Sequence, residues 1–187
     1  MSVCFAIAET PFAGLRIINR NRKGDARGYL ERLFCAEELA KAGWEKPIAQ
    51  INHTSTARRG TVRGMHFQHS PNAEMKLVMC LKGEIFDVAV DIRAGSPTFL
   101  KWHGEALSAD NALGLLIPEG FAHGFQTLSD DVGMLYFHSV TYAPEAEAGV
   151  HPQDPKLAIR WPLDITEISA KDAGYCWLDD DFQGVKL

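Results

Sequence analysis

Eight short β-prone segments separated by turn residues occupy the middle of the chain, and their spacing limits the possible folds more than any other feature of the sequence. The predicted strands are residues 48–53, 61–68, 75–81, 84–92, 99–107, 114–117, 124–128 and 134–140. In residues 86–92 the apolar side chains mostly alternate with small or acidic ones, which is typical of a strand with one buried face. Short strands in series favour an all-β sandwich or barrel over an α/β fold.

The segments on either side of these strands have a different character. Residues 35–42 are rich in Ala, Glu and Leu and are followed by Gly43, which predicts a short N-terminal helix, interpreted here as a surface excursion. After Pro144 the chain is punctuated by prolines, which predicts loops wrapped around the β-core and a short helical stretch near Ser169. The length fits a single domain, residues 1–187.

Charge and cysteine content narrow the range of partners and compartments. The 19 Lys and Arg residues and 24 Asp and Glu residues leave a net charge of −5, so the surface as a whole does not attract nucleic acid or an anionic membrane. A local basic pocket for an anionic small molecule is compatible with that charge. We expect no export signal or membrane span. The four cysteines are far apart and lack a C-x-x-C pair, so a reducing cytoplasm is the expected compartment.

Arg63 and His66 are the first candidates for a functional site, on the predicted strand 61–68. On a regular strand these two side chains point to opposite faces, so a site that uses both needs a bulge, which Gly64 permits. The alternative is a structural histidine beside a surface arginine.

Two further stretches place histidine or tyrosine near a binding site. Two glycines and a proline around His123 predict a tight turn at the rim where ligands enter a barrel. Tyr136 and His138 share one face of a predicted strand, and a structural tyrosine is the alternative interpretation.

The histidine spacing argues against a bound metal. A jelly-roll metal site usually begins with H-x-H on one strand, which aligns two imidazoles. Here His66 and His69 form H-x-x-H, which points the two rings to opposite faces. We therefore expect no metal and no cofactor.

Eight sequence blocks carry a resemblance to a known family. In chain order they are GDARG (24–28), QINHT (50–54), VRGMHFQ (62–68), EIFDVAVD (84–91), GSPT (95–98), IPEGFAHGF (117–125), YAPE (142–145) and SAKD (169–172). The chain resembles the dTDP-4-dehydrorhamnose 3,5-epimerase family over residues 10–173. The resemblance implies a cupin-like jelly roll, also called a double-stranded β-helix, and an isomerase of dTDP-rhamnose synthesis that inverts the carbons beside a 4-keto group.

The catalytic roles implied by the resemblance fall on four residues. His66 is the base and Asp172 orients its imidazole. Tyr136 returns a proton from the opposite face, and Lys76 stabilises negative charge on the keto oxygen. Two alternatives rest on the residues alone: SAKD is also an S-x-x-D helix-capping pattern, and a strand lysine is often simply solvated.

The resemblance also implies substrate contacts. Arg27 and Arg63 match positions that contact the diphosphate, and a guanidinium group pairs well with phosphate oxygens. The other implied substrate-binding residues are Glu31, Gln50, Asn52, His123, Tyr142, Glu147 and Lys171. A homodimer is implied as well, because the family's nucleotide site draws on two subunits.

Departures from the family pattern leave the nucleotide and the sugar open. This chain has Ile51 between Gln50 and Asn52, where the family often has Asp, and Phe137 after Tyr136, where it often has Lys. Epimerisation of carbon 3 only and 3,4-ketoisomerisation are alternative activities, although retention of Tyr136 favours epimerisation. A non-catalytic sugar-nucleotide binding cupin is an alternative of another class, and the joint presence of base, orienting carboxylate, lysine and tyrosine argues against it.

Overall fold

The computed structural model describes residues 4–187 and is built almost entirely of β-strands. The strands are β1 Phe5–Glu9, β2 Arg16–Arg20, β3 Lys23–Asp25, β4 Gly28–Leu30, β5 Gln50–Thr56, β6 Thr61–Gln68, β7 Lys76–Lys82, β8 Glu84–Asp91, β9 Trp102–Ser108, β10 Leu113–Ile117, β11 Phe121–Thr127, β12 Val132–His138, β13 Glu147–Gly149 and β14 Glu167–Ile168. The helices are α1 Ala36–Leu39, continued by a 3₁₀ turn Ala40–Ala42, and α2 Ala170–Ala173. Within residues 4–187, no helix has the length and apolar character needed to cross a membrane.

Two large sheets form the body of the molecule. The first sheet has the strand order β1-β2-β10-β7-β12-β5, and the second has the order β13-β6-β11-β8-β9, with β14 parallel to β6. Strands β3 and β4 form a separate hairpin. All eight predicted segments are strands, with ends shifted by up to three residues. The predicted all-β jelly-roll fold is confirmed.

The inner faces of the two sheets meet in an apolar core. Along β12, Met134 and Tyr136 point into this core, whereas Leu135 and Phe137 point to the outer face of the first sheet. The same period of two holds in the second sheet, where Ile85 joins the core. The inner-face positions are therefore the ones from which side chains reach the space between the sheets.

The predicted helix 35–42 covers the outer face of the first sheet. Leu39 and Trp44 are almost fully buried there, and Gly43 ends the segment at φ 98° as predicted. The interpretation of this helix as a surface excursion is wrong, because its apolar side packs on the outward residues Leu77 and Phe137.

The proline-rich tail covers the outer face of the second sheet. Val150 and Leu157 pack against Val88 and Val90 of β8, so β8 is buried on both faces rather than on one. The predicted wrap is confirmed. The predicted helical stretch is α2, whose N-cap is Ser169.

Candidate active site

A cavity of about 650 Å³ opens at the polar end of the space between the sheets. Strands β5, β7 and β12 line one wall, and β6, β11 and the α2 segment line the other. A volume of this size accommodates a ligand larger than a single sugar ring. Eight of the thirteen residues predicted for the site line the cavity: Asn52, Arg63, His66, Lys76, His123, Tyr136, Lys171 and Asp172.

A bulge in β6 brings Arg63 and His66 to the same cavity. Phe125 pairs with Arg63 and His123 pairs with His66, so β6 has one residue more than β11 between these pairs. Gly64 lies in the bulge at φ 132°, where a Cβ would be 2.9 Å from the carbonyl oxygen of His123. The bulge that a site with both residues requires is thus present at Gly64.

His66 is held by a buried carboxylate. Its Nε2 lies 2.7 Å from Oδ1 of Asp172, and the backbone N–H of Gly64 donates to Oδ2 at 3.1 Å. The side chain of Asp172 is 5% exposed, whereas that of His66 is 33% exposed. The backbone N–H of Asp172 also donates to the Ser169 hydroxyl at 3.0 Å, so this segment is both a helix cap and a partner of His66.

The charge of Asp172 fixes the tautomer of His66. Burial alone would raise the pKa of Asp172, but the hydrogen bonds and charge of His66, with the Gly64 N–H, lower that pKa below its ordinary value of 3.8. The carboxylate can only accept, so Nε2 of His66 donates to it. In the neutral imidazole the lone pair is then on Nδ1, which makes His66 a suitable proton acceptor.

Tyr136 lies on the opposite wall, on β12. Its ring contacts His123 edge-on at 6.2 Å between centroids and stacks on His138 at 6.1 Å. Burial, with the nearby Asp87 carboxylate, raises the pKa of Tyr136 above its ordinary value of 10.0. The phenol therefore keeps its proton at neutral pH and has a proton to donate.

Lys76 is buried rather than solvated, in contrast to the alternative left open by the sequence. Its ammonium group is 2.9 Å from Oε1 of Glu74, and its side chain is 11% exposed. Because Lys76 also lines the cavity, its positive charge is available to an oxygen bound there.

The prediction of a turn at His123 is wrong. The turn ends at Gly120, and His123 is a buried residue inside β11. Its Nε2 lies 2.8 Å from Oδ1 of Asp87 on the neighbouring strand β8. Apolar residues flank His123 because β11 is a central strand, which is buried on both faces.

A polar cluster lies beside the cavity, next to Lys171. Lys171 Nζ is 2.5 Å from Oε1 of Glu147, and the hydroxyl of Tyr142 donates to Oε2 of Glu147 at 2.8 Å. Gln50 is part of the same region, because its Oε1 accepts the backbone N–H of Tyr142 at 3.0 Å and its amide nitrogen donates to Asn52 at 3.1 Å. Gln50, Tyr142 and Glu147 thus adjoin cavity residues without lining the cavity.

Two predicted site residues do not reach the cavity of this chain. Arg27 extends from the β3–β4 hairpin with 89% of its side chain exposed and pairs with Asp25. Glu31 pairs with Arg20 at 3.4 Å and with Arg22 at 3.1 Å. The single chain therefore places both residues away from His66.

The histidines of the H-x-x-H pattern diverge. His66 faces the cavity, whereas His69 follows β6, is exposed, and contacts the ring of Phe67. Over residues 4–187, no three histidine, cysteine or carboxylate side chains are grouped to hold a metal ion. Metal independence remains a prediction.

Comparison with known proteins extends over nearly the whole chain. The family model described as dTDP-4-dehydrorhamnose 3,5-epimerase matches residues 9–180. A relative of that name from Sinorhizobium fredii is 41% identical over 179 residues, which cover 94% of this chain and 92% of the relative. A dTDP-4-dehydrorhamnose 3-epimerase from Streptomyces niveus is 39% identical over 160 residues, or 85% of this chain and 77% of the relative.

A solved structure agrees with these matches. The crystal structure of a dTDP-6-deoxy-D-glucose-3,5-epimerase from Legionella pneumophila Philadelphia 1, in complex with dTDP-4-keto-L-rhamnose, has a TM-score of 0.90 to this chain at 39% identity and covers 98% of this chain and 99% of its own. With a family model, close relatives and a solved structure all matching most of its length, the chain belongs to the dTDP-4-dehydrorhamnose 3,5-epimerase family of isomerases.

Proposed function

We propose that this chain epimerises a dTDP-linked 4-keto-6-deoxy sugar, converting dTDP-4-dehydro-6-deoxy-D-glucose to dTDP-4-dehydro-L-rhamnose. One observation carries the proposal: a carboxylate-oriented imidazole, His66, and a protonated phenol, Tyr136, lie on opposite walls of one cavity. Inversion of a carbon needs a base on one face and an acid on the other, so this arrangement suits inversion better than exchange with retention.

The chemistry follows from the position of each group. His66 removes the proton beside the ketone, and the electrons of that C–H bond move to the keto oxygen. Lys76, charged and buried at the cavity wall, stabilises the resulting enolate oxygen. Tyr136 then gives its proton to the same carbon from the other face, while Asp172 supports the charged His66.

The remaining residues bind the nucleotide and the sugar. Arg63 is exposed at the cavity, with its Nε held 3.1 Å from the hydroxyl of Thr56, and contacts the diphosphate. The side chains that complete the substrate site are Glu31, Gln50, Asn52, His123, Tyr142, Glu147 and Lys171.

The purified chain in deuterated water, given dTDP-4-dehydro-6-deoxy-D-glucose, tests the proposal. We expect deuterium at carbons 3 and 5 with inversion at both, because His66, Lys76, Tyr136 and Asp172 are all present. The measurement is a time course by NMR. Label at carbon 3 alone would make the chain a 3-epimerase, as the Streptomyces niveus relative is named. A folded protein that incorporates no label would contradict the proposal in favour of a binding module.

The complete site is formed by a homodimer. Arg27 lies on an exposed hairpin that also presents Tyr29 and Leu30, with 59% and 75% of their surfaces exposed. Apolar groups extended on a hairpin are suited to contact with a second copy, which would bring Arg27 to the partner's diphosphate.

Mixing two variants tests the shared site. Co-expressed Arg27→Ala and His66→Asn chains form heterodimers in which one cavity has both an intact His66 and an intact Arg27. If the copies mix at random, we expect about a quarter of the wild-type rate, well above that of either variant alone. A rate equal to the mean of the two separate variants at the same total protein concentration would contradict the shared site.

The expected compartment is the cytoplasm. Cys35, Cys80 and Cys176 are thiols, which is the state maintained by a reducing compartment. The proposed substrate, a nucleotide sugar, fits that compartment.

A further inference from the structure

A third histidine–carboxylate pair faces the cavity, besides His66 with Asp172 and His123 with Asp87. His138, the last residue of β12, has its Nδ1 2.7 Å from Oε2 of Glu74. Both side chains are largely buried, at 12% and 8% exposed. The carboxylate can only accept, so Nδ1 carries a hydrogen. Nε2 accepts from the amide nitrogen of Asn52, another cavity residue, at 3.4 Å, so in the neutral ring Nε2 carries the lone pair and is the nitrogen not bound to the carboxylate.

His138 shares its wall with Tyr136. The two residues alternate on the same face of β12, and their rings stack at 6.1 Å with an interplanar angle of 20°. His66 lies on the opposite wall, on β6. A proton on Nε2 of His138 would therefore be delivered from the side of Tyr136, opposite to the base.

Glu74 links His138 to Lys76. Its other oxygen accepts from Lys76, which pairs directly with His138 across β7 and β12. Burial alone would raise the pKa of Glu74, but the His138 hydrogen bond and the Lys76 charge lower it. The charges of the Glu74 carboxylate and the Lys76 ammonium group cancel. A proton on His138 therefore gives these three side chains a net charge of +1, with the added charge next to the carboxylate.

The other groups that face His138 are mostly uncharged. Asn52 on β5 is an amide, and Tyr136 is a protonated phenol. The cations across the cavity are Arg63 and, when protonated, His66, both on β6. An enolate formed between the walls would offset the charge of a protonated His138.

We infer that His138, oriented by Glu74, is a second proton donor on the Tyr136 wall, an inference that rests on the proposed epimerase function. After His66 has taken the substrate proton, the Nε2–H bond of a protonated His138 breaks and a new C–H bond forms on the opposite face of the carbon. The electron pair stays on Nε2 and leaves a neutral imidazole. His66 then releases its proton to water and His138 takes one from water, so the count of protons is unchanged.

A double-mutant cycle of Tyr136→Phe and His138→Gln tests this role. Net inversion and exchange of the first substrate proton are measured by NMR in deuterated water. We expect His138→Gln to lower inversion by about tenfold or more in the Tyr136→Phe background and much less in the wild-type background, with first-proton exchange little changed. In Tyr136→Phe alone, the ratio of inversion to exchange should rise as the pH falls, because the remaining donor must be protonated.

Glu74→Gln provides a second readout that keeps His138 in place. Removing the anion disfavours a proton on His138, so in the Tyr136→Phe background the midpoint of the inversion ratio should move to lower pH. His53→Gln is the matched control, because His53 is exposed on β5 and alternates away from the cavity residues Asn52 and Thr54. It should change neither the rates nor the pH profile.

Two results would overturn the inference. The first is an equal loss from His138→Gln in both backgrounds without a change of pH profile, which would assign His138 to positioning Lys76 through Glu74. The second is no loss in either background. Both are distinct from failure of the proposed function, in which the wild type itself exchanges no substrate proton.

Discussion

His66→Asn is expected to lower deuterium incorporation at both carbons beside the ketone by roughly 10²- to 10⁴-fold while leaving the fold intact. The imidazole faces the cavity with its Nδ1 lone pair available, and an amide of similar size supplies no base in that position. Because proton removal precedes every later step, inversion should fall by the same factor as exchange.

The control for this variant is His69→Asn. It makes the same substitution three residues further along, at an exposed histidine outside the cavity. Circular dichroism and thermal unfolding should be similar for the two variants and the wild type. Undiminished exchange in a folded His66→Asn protein would remove His66 from the role of base and shift attention to the other two cavity histidines, His123 and His138.

The strands could be predicted because one face of each has a uniform environment along its length. In β12 almost every residue is apolar or aromatic, as in a strand buried on both faces, and the turn residues at either end mark its limits. Strands β1 to β4, β13 and β14 were not predicted. Strands β2, β13 and β14 form by pairing with residues far away in the chain, as β14 pairs with β6, and their own sequences show no clear period.

The burial of the outer faces of the two sheets was not predicted, for a related reason. The alternation in β8 indicates which side chains share a face, but it does not say what covers each face. The proline-rich tail supplies the cover for Val88 and Val90, and α1 does the same for Leu77. Tertiary packing of this kind has no local signal in the sequence.

In the candidate site too, some residues could be predicted from the sequence and others could not. His66, Tyr136 and Lys76 were singled out, but the carboxylates Glu74 and Asp87 were missed. Asp87 had a usable signal, since it lies on the inner face of β8 between apolar residues, and a buried carboxylate needs a partner. Glu74 had none, because its link to His138 spans 64 positions and depends on the pairing of β7 with β12.

Asp172→Asn is expected to lower the rate of exchange by roughly 10²- to 10⁴-fold with little change in binding of the nucleotide. Asp172 does not face the reacting carbon as a base; it orients His66 through a 2.7 Å hydrogen bond and favours its charged form. An amide keeps the bond to the Gly64 N–H but carries no charge. The acid limb of the pH–rate profile should therefore move to lower pH, because loss of the anion makes a protonated base less favourable.

Ser169→Ala separates this role from helix capping, the alternative interpretation of the SAKD block. It removes the hydroxyl that caps α2 and should cost about 1 kcal/mol of stability, but it leaves the carboxylate on His66 and hence the pH–rate profile unchanged. If Asp172→Asn behaved like Ser169→Ala, with lower stability and an unaltered rate and profile, Asp172 would be a capping residue only.

Stability against pH gives an independent check on Asp172. The fold lowers the pKa of Asp172 below its ordinary value of 3.8, so its carboxylate stabilises the folded state above that pH and the contribution disappears as the pH falls through the lowered pKa. Asp172→Asn lacks the contribution at every pH. The difference in free energy of unfolding between wild type and variant should therefore shrink as the pH falls below about pH 4, as measured by urea unfolding. A difference that grew as the pH fell below about pH 4 would show that the carboxyl is stabilised in its neutral form and does not support a charged His66.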